Sequence, residues 1–154
     1  TEVRKVLADF LKEDSEPALQ KAAAWGLFSA ATDDPQTYRA LISTAKDSAA
    51  ALPVREEALI SLFAAMSHPD ARDAVADLTQ NTWPKSLRQI AILLLQAANQ
   101  DNAIRKTLHD LANNDPDIDV RLAAIEALRP RLSEERIRYF HLSAYSGVFR
   151  DPLE

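Results

Sequence analysis

The side chains that most often carry catalytic or metal chemistry are few in this sequence and lie far apart. The three histidines are His68, His109 and His141, and they fall at unrelated places in the chain. Cysteine is absent, which excludes disulfides, thiolate nucleophiles and thiolate metal sites. We therefore expect the histidines at surface or capping positions, and no metal site is predicted.

The densest group of carboxylates is Asp115, Asp117 and Asp119, at alternate positions. This spacing resembles the start of a calcium-binding loop, but the glycine and the distal glutamate of such a loop are missing. Asp33 and Asp34 likewise lie at a predicted break between helices, where a carboxylate accepts hydrogen bonds from free backbone N–H groups. Helix capping explains these residues, so no catalytic residue and no cofactor is assigned.

The composition is typical of an all-α protein. Hydrophobic residues make up 47% of the 154 residues, but aromatics only 6%, and glycine occurs twice. So little glycine argues against tight hairpins and against a phosphate-binding glycine loop. The net charge of −5 comes without a basic cluster, which argues against a nucleic-acid partner. No apolar run approaches the roughly 20 residues that a membrane span requires.

The stretch from Asp119 to Leu128 recurs three more times in weaker form. The arginine of this stretch is Arg121, and the equivalent positions in the weaker copies are Gln20, Arg55 and Arg88. The position numbers of successive copies thus differ by 35, 33 and 33. Self-similarity at such a period indicates an architecture of stacked repeats, in which neighbouring units share one core.

Proline-containing breaks separate successive predicted helices, which form pairs. Five of the eight prolines lie in these breaks. We predict an α–α superhelix of four helix pairs and a ninth, capping helix from Ser133 to about Leu142. Residues 1–142 then form the solenoid, and residues 143–154 an irregular C-terminal tail. The five prolines are Pro17, Pro35, Pro69, Pro84 and Pro116.

The frame Val-Arg-x-x-Ala-x-x-Ala-Leu resembles the HEAT-like repeat family in its short bacterial form. Val120, Arg121, Ala124 and Leu128 fit it closely, whereas the first copy has Gln20 in place of the arginine. The resemblance covers roughly residues 1–131. It implies close helix packing at the alanines and filling by the leucines that follow. It also implies a ladder in which the arginines contact turn carbonyls or acidic groups of the adjoining repeat, with Asp115, Asp117 or Asp119 as partners.

A second pattern concerns the position two residues after the first alanine of the frame, which we call the frame alanine. In the best-fitting copy the frame alanine is Ala124, and the position two residues later is the polar Glu126. The other copies carry apolar residues there, and some carry an aromatic residue one turn later. We define these residues as the inner-face ribbon and predict that they bind a protein or helical peptide. An interlayer core is the alternative interpretation. The ribbon consists of Trp25, Phe28, Ile60, Phe63 and Leu93.

The resemblance implies a non-catalytic interaction module or accessory scaffold, a segment of a larger bacterial protein. Alternatives are a repeat-type enzyme, such as a lyase or a DNA glycosylase, and a purely structural spacer. The C-terminal aromatics, including Tyr145 and Phe149, are expected to cover the end of the stack or to contact a neighbouring domain. We expect no signal peptide within this sequence, and both a cytoplasmic and a periplasmic location remain open.

Overall fold

The computed structural model describes residues 2–12 and 16–129, and within them the chain is helical, without strands. Eight α-helices follow one another as four antiparallel pairs. In chain order they are α1 Glu2–Lys12, α2 Pro17–Gly26, α3 Pro35–Lys46, α4 Leu52–Ser61, α5 Pro69–Asp77, α6 Lys85–Leu95, α7 Asn102–Asn114 and α8 Ile118–Ala127. The predicted all-α solenoid of four helix pairs is confirmed.

The breaks between helices have the predicted chemistry. Proline lies in the first turn of α2, α3, α4 and α5, where its missing N–H costs no intrahelical hydrogen bond. Asp34, Asp101 and Asp117 are the N-caps of α3, α7 and α8, and the carboxylate of each accepts a backbone hydrogen bond. Each satisfied N-cap fixes where the next helix begins.

The second helices of the first three pairs end earlier than their periodicity predicts. A 3₁₀ segment follows each of them, at Ser29–Thr32, Leu62–Ala65 and Gln96–Ala98. The tighter 3₁₀ winding turns the side chains away from the α-helical register. The apolar pattern continues from the α-helix through the 3₁₀ segment, and for this reason the sequence predicts one longer helix in each case.

The helices form two layers. The first helices α1, α3, α5 and α7 lie in one layer, and the second helices α2, α4, α6 and α8 lie in the other. Neighbouring second helices are in closer contact than neighbouring first helices, so the stack curves with the second helices on its inner side. On the outer side a groove of about 670 Å³ separates α5 from α7.

The core lies between the layers and follows the repeat frame. The frame alanines Ala58, Ala91 and Ala124 are fully buried, and Ala23 is 3% exposed. Their small side chains allow close helix approach. The leucines that follow fill the remaining space, and Leu27, Leu62 and Leu95 are completely inaccessible to solvent. A single core therefore runs from the first pair to the fourth.

The first pair joins this stack despite the departures of its sequence from the frame, since α2 packs on α4 as closely as α4 packs on its own partner α3. Gly26 explains one of these departures. A Cβ atom at Gly26 would lie 3.1 Å from the Leu7 side chain of α1, so the glycine permits the close approach of α1 and α2.

The predicted ninth helix and the tail with Tyr145 and Phe149 lie outside the described residues. So does the division of the chain at residue 142. In the described part of the chain, no helix is both long enough and apolar enough to cross a bilayer.

Candidate functional site

Three residues of the inner-face ribbon lie on the second helices, on the side that faces away from the first-helix layer. Each ribbon residue Trp25, Ile60 and Leu93 follows a buried frame alanine by two positions, which is about 200° around a helix. Because the alanine contacts the first-helix layer, this rotation places the ribbon residue on the inner side. Phe28 and Phe63 follow one turn later, Phe28 after the end of α2 and Phe63 in the 3₁₀ segment Leu62–Ala65.

The structure shows that the ribbon is neither wholly core nor wholly exposed. Ile60 is only 7% exposed, whereas Trp25, Phe28, Phe63 and Leu93 are partly exposed. Phe63 and Leu93 also pack against the main core, but Trp25 and Phe28 do not belong to it. The rings of Trp25 and Phe28 contact each other instead, with centroids 5.2 Å apart. The sequence could not distinguish these environments, because all five residues are apolar.

Ile60 is buried, although it does not belong to the contiguous cluster of core residues. It therefore differs from the other four ribbon residues, which are partly exposed. Replacing Ile60 by a charged residue would bury that charge, so such a variant tests stability and not binding.

The charges around the ribbon are mixed in sign. Lys21 and Glu56 are partly exposed on α2 and α4. At the other end, Glu126 forms an ion pair with Arg129 at 3.2 Å. Gln96 donates to the carbonyl oxygens of Glu126 and Arg129, which joins the third and fourth pairs at the inner edge. This surface has no field of one sign that would attract a polyanion.

A buried carboxyl group lies beside the ribbon. Glu57 on α4 is 1% exposed, at the frame position that Ile90 occupies in α6. Burial raises the pKa of Glu57 to about 7, although the positive charge of Lys21 on α2 opposes this shift. Glu57 thus exchanges a proton near neutral pH at the contact between the first and second pairs. Glu57 was not predicted from the sequence, since glutamate is usually an exposed helix residue.

The frame arginines form only part of the predicted ladder. Arg88 donates from Nε to the carbonyl oxygen of Thr79 at 3.1 Å and from its guanidinium to the carboxylate of Asp115 in the next pair. Both side chains are nearly inaccessible to solvent. Arg121 donates to the carbonyl oxygen of Asp115 at 3.5 Å. Asp115 was among the predicted partners, and it links the third and fourth pairs.

Arg55 has a different environment from Arg88. Its Nε donates to the carbonyl oxygen of Ala45 at 3.1 Å, and its guanidinium lies 5.6 Å from the ring centroid of Trp83. The geometry suits a cation–π contact. Trp83 lies in the connection between α5 and α6, which contains no acidic residue, whereas the connection between α7 and α8 provides Asp115 for Arg88.

Of the three alternative partners predicted for the ladder, Asp115 is the one that Arg88 contacts, whereas the carboxylates of Asp117 and Asp119 pair with Lys85 of α6. The hydrogen bond to Asp119 and, to a smaller extent, the hydrogen bond to Asp117 raise the pKa of Lys85. Asp117 also accepts the backbone N–H groups of Asp119 and Val120 as the N-cap of α8. The predicted capping role is therefore confirmed for Asp117, whereas Asp119 lies within the first turn of α8. Among the described residues, no group of three or more His, Asp or Glu side chains could hold a metal ion.

A second series of arginines links the first helices, and we call it the outer arginine series. It was not predicted from the sequence. Arg4, Arg39 and Arg72 each reach a carboxylate at the start of the next first helix, at distances of 3.9, 3.8 and 3.7 Å. The position numbers of these arginines differ by 35 and 33, as do those of the frame, so the signal was visible in the sequence. The carboxylates are those of Asp34, Asp70 and Asp101.

Within this outer series, Arg72 should contribute most to stability. It donates to the carbonyl oxygens of Met66 and Ser67 at 3.2 and 2.9 Å, besides its ion pair with Asp101. We expect Arg72→Met to lower the free energy of unfolding by about 1 kcal/mol. The matched variant Arg39→Met, at an exposed pair, should cost less than about 0.5 kcal/mol. Urea denaturation of both variants measures the difference, and equal losses would contradict the assignment.

His68 lies at the N-cap position of α5 and is partly exposed, which agrees with the predicted surface or capping position. Its Nε2 is 2.7 Å from the carbonyl oxygen of Thr32, and its ring stacks on Tyr38 with centroids 5.0 Å apart. His109 is exposed on α7, and His141 lies outside the described residues. The structure does not bring His68 and His109 together.

The comparisons with known proteins agree with this architecture. A family model described as HEAT repeats matches residues 4–96, which is more than half of the chain. Comparisons with curated proteins and with solved structures gave no match. The matched region spans the first three helix pairs, and the fourth pair extends the same stack. HEAT repeats generally mediate protein–protein interaction or scaffolding, and this chain belongs to the HEAT repeat family.

Proposed function

We propose that this protein is a non-catalytic interaction module that binds a helical segment of another protein along the inner-face ribbon. The observation that carries the proposal is the row of partly exposed apolar side chains on α2, on α6 and in the segments that directly follow α2 and α4, namely Trp25, Phe28, Phe63 and Leu93. An apolar row on the inner side of a repeat stack is typical of a binding surface, because no neighbouring repeat covers it.

The dimensions of the ribbon favour a helix as the occupant. Neighbouring helices pack about 8 to 10 Å apart, so the ribbon from Trp25 to Leu93 spans roughly 20 Å. A bound helix of about 13 residues has this length. Apolar residues seven apart in that helix are about 10 Å apart, which is close to the spacing of the ribbon residues on successive second helices. A single apolar stripe on an amphipathic helix therefore fits the ribbon.

The engagement of the turn carboxylates supports the non-catalytic part of the proposal. Asp34, Asp101 and Asp117 cap helices, and Asp115 pairs with Arg88. A general acid or base needs a carboxyl group that reaches a substrate, and structural contacts already hold these four.

The binding test is selection from a displayed library of amphipathic helices. The double variant Phe28→Ala/Leu93→Ala removes one ribbon side chain at each end. We expect the wild-type chain to enrich helices with apolar residues at i and i+7. Their dissociation constants should rise at least tenfold, or about 1.4 kcal/mol, with the double variant, because buried apolar anchors dominate such interfaces.

The matched control removes two exposed apolar side chains elsewhere. Val3→Ala/Val6→Ala changes α1, where these residues are 68% and 49% exposed, and should leave peptide binding unchanged. Circular dichroism must show that both double variants remain folded. Helices that bind the ribbon variant as tightly as the wild type would refute the proposed site. Failure to enrich any helix would also refute the proposed site, and it would favour the alternative that the protein is a purely structural spacer.

A further inference from the structure

The last described helix carries an apolar stripe on the face that points away from the stack. Ile118, Leu122 and Ile125 on α8 are 54%, 53% and 49% exposed. Their spacing of four and three positions places them on one side of the helix. This stripe is separate from the inner-face ribbon, which ends at Leu93 on α6.

The repeat register identifies Ile125 as a stacking position, whereas the positions equivalent to Ile118 and Leu122 are exposed or partly exposed in the second and third pairs. Ile125 occupies the frame position of Leu59 in α4 and Ile92 in α6, both of which are fully buried. Those two side chains lie between neighbouring second helices, since α4 packs on α6 and α6 packs on α8. Ile125 is an aliphatic residue at the same position, so it offers a further packed segment the same kind of contact that Leu59 and Ile92 make.

The outer arginine series points to the same end of the stack. Arg105 on α7 follows Arg72 at the same interval that separates Arg72 from Arg39. Like Arg72, it donates to a backbone carbonyl oxygen in the turn before its own helix, that of Asn99, at 3.2 Å. Each preceding member of the series reaches a carboxylate at the start of the next first helix. For Arg105 the corresponding acidic residues of the sequence are Glu134 and Glu135.

We propose that residues 130–154 of this chain bind the α7–α8 end of the stack. In this arrangement Glu134 or Glu135 pairs with Arg105, and the aromatic part of the segment covers the α8 stripe. The segment follows Arg129 directly, and it is long enough to pass α7 and return across α8. The apolar residues available for this contact are Tyr139, Phe140, Tyr145, Val148 and Phe149.

The covalent link favours this segment over a second copy of the chain. A short connection gives an effective concentration in the millimolar range, well above the protein concentrations used in solution experiments. Glu134 and Glu135 occupy the sequence positions expected for the partner of Arg105, so they add charge complementarity at the outer edge. The proposal concerns a different surface from the inner-face ribbon, so either can fail without the other.

Paramagnetic labelling of the full chain tests the contact directly. Because the chain lacks cysteine, Ser146→Cys gives a single site for a nitroxide within the segment. We expect the label to broaden the methyl signals of Leu122 and Ile125, but not those of Leu41, which is buried at α3. The control label at Ser43→Cys, an exposed position on α3, should leave the α8 methyl signals unchanged.

Mixing separates the two possible sources of the segment. Nitroxide-labelled chain without isotopes is added to isotope-labelled chain without nitroxide. Broadening of the Leu122 and Ile125 signals in this mixture would show a second copy at the stripe and would overturn the proposal. Unbroadened signals in the singly labelled chain would overturn it as well.

A thermal measurement on the full chain gives an independent readout. If the segment covers the stripe, Ile125→Ala should lower Tm by an amount comparable to Ile92→Ala, which removes the same side chain at the same register. A loss at Ile125 as small as that of Val3→Ala would contradict the proposal, since Val3 is an exposed apolar residue at the other end of the stack.

Discussion

Replacement of Asp115 by alanine is expected to lower the free energy of unfolding by about 3 to 5 kcal/mol. The substitution leaves the charge of Arg88 buried without its carboxylate, at the contact between the third and fourth pairs. It also removes the hydrogen bond that the Asp115 carboxylate accepts from the backbone N–H of Asp117 at 2.9 Å. Urea denaturation monitored by circular dichroism measures the loss.

Two further variants separate the buried charge from other effects. Asp70→Ala removes the carboxylate of an ion pair whose two side chains are 66% and 67% exposed, and it should cost less than about 1 kcal/mol. In Arg88→Met/Asp115→Leu both charges are replaced by apolar groups, so the double variant should be more stable than Asp115→Ala alone. Equal losses for Asp115→Ala and Asp70→Ala would show that the buried Arg88–Asp115 ion pair contributes no more to stability than an exposed ion pair.

Replacement of Glu57 by glutamine is expected to stabilise the protein at pH 8 by up to about 3 kcal/mol. The pKa of Glu57 is raised from 4.5 to about 7 by burial. Between these values the unfolded chain has lost the proton that the folded chain still holds. The contribution of Glu57 to stability is therefore intact below pH 4.5 and is lost as the pH rises through 7. Glutamine keeps the shape and cannot ionise.

The measurement is urea denaturation of the wild type and Glu57→Gln at pH 5 and pH 8. The stability difference between the two proteins should favour the variant much more at pH 8, and this comparison cancels the titration of all other groups. Glu56→Gln, which removes one charge from the neighbouring, partly exposed position, is the matched control. A pH-independent difference for Glu57→Gln would mean that Glu57 ionises in the folded state as it does in the unfolded one.

Much of the fold follows from local sequence signals. The repeat period, the prolines in first turns and the capping aspartates depend on neighbouring residues alone, so the helix pairs and most of their starts were predictable. The buried alanines and leucines of the frame followed from periodicity. The outer arginine series was also visible, at Arg4, Arg39, Arg72 and Arg105, but it needs the stacked arrangement to reveal what each arginine contacts.

The sequence alone thus determined the helical class, the pairing of helices and the order in which the pairs stack. Only the tertiary structure decided how deeply each inner-face residue lies, with Ile60 buried and Leu93 partly exposed. It also decided that Glu57 loses its solvent and that Asp115, not Asp117 or Asp119, reaches Arg88. The physical reason is that burial and cross-repeat contacts depend on how closely the second helices approach one another. That approach is set by the packing of all four pairs together.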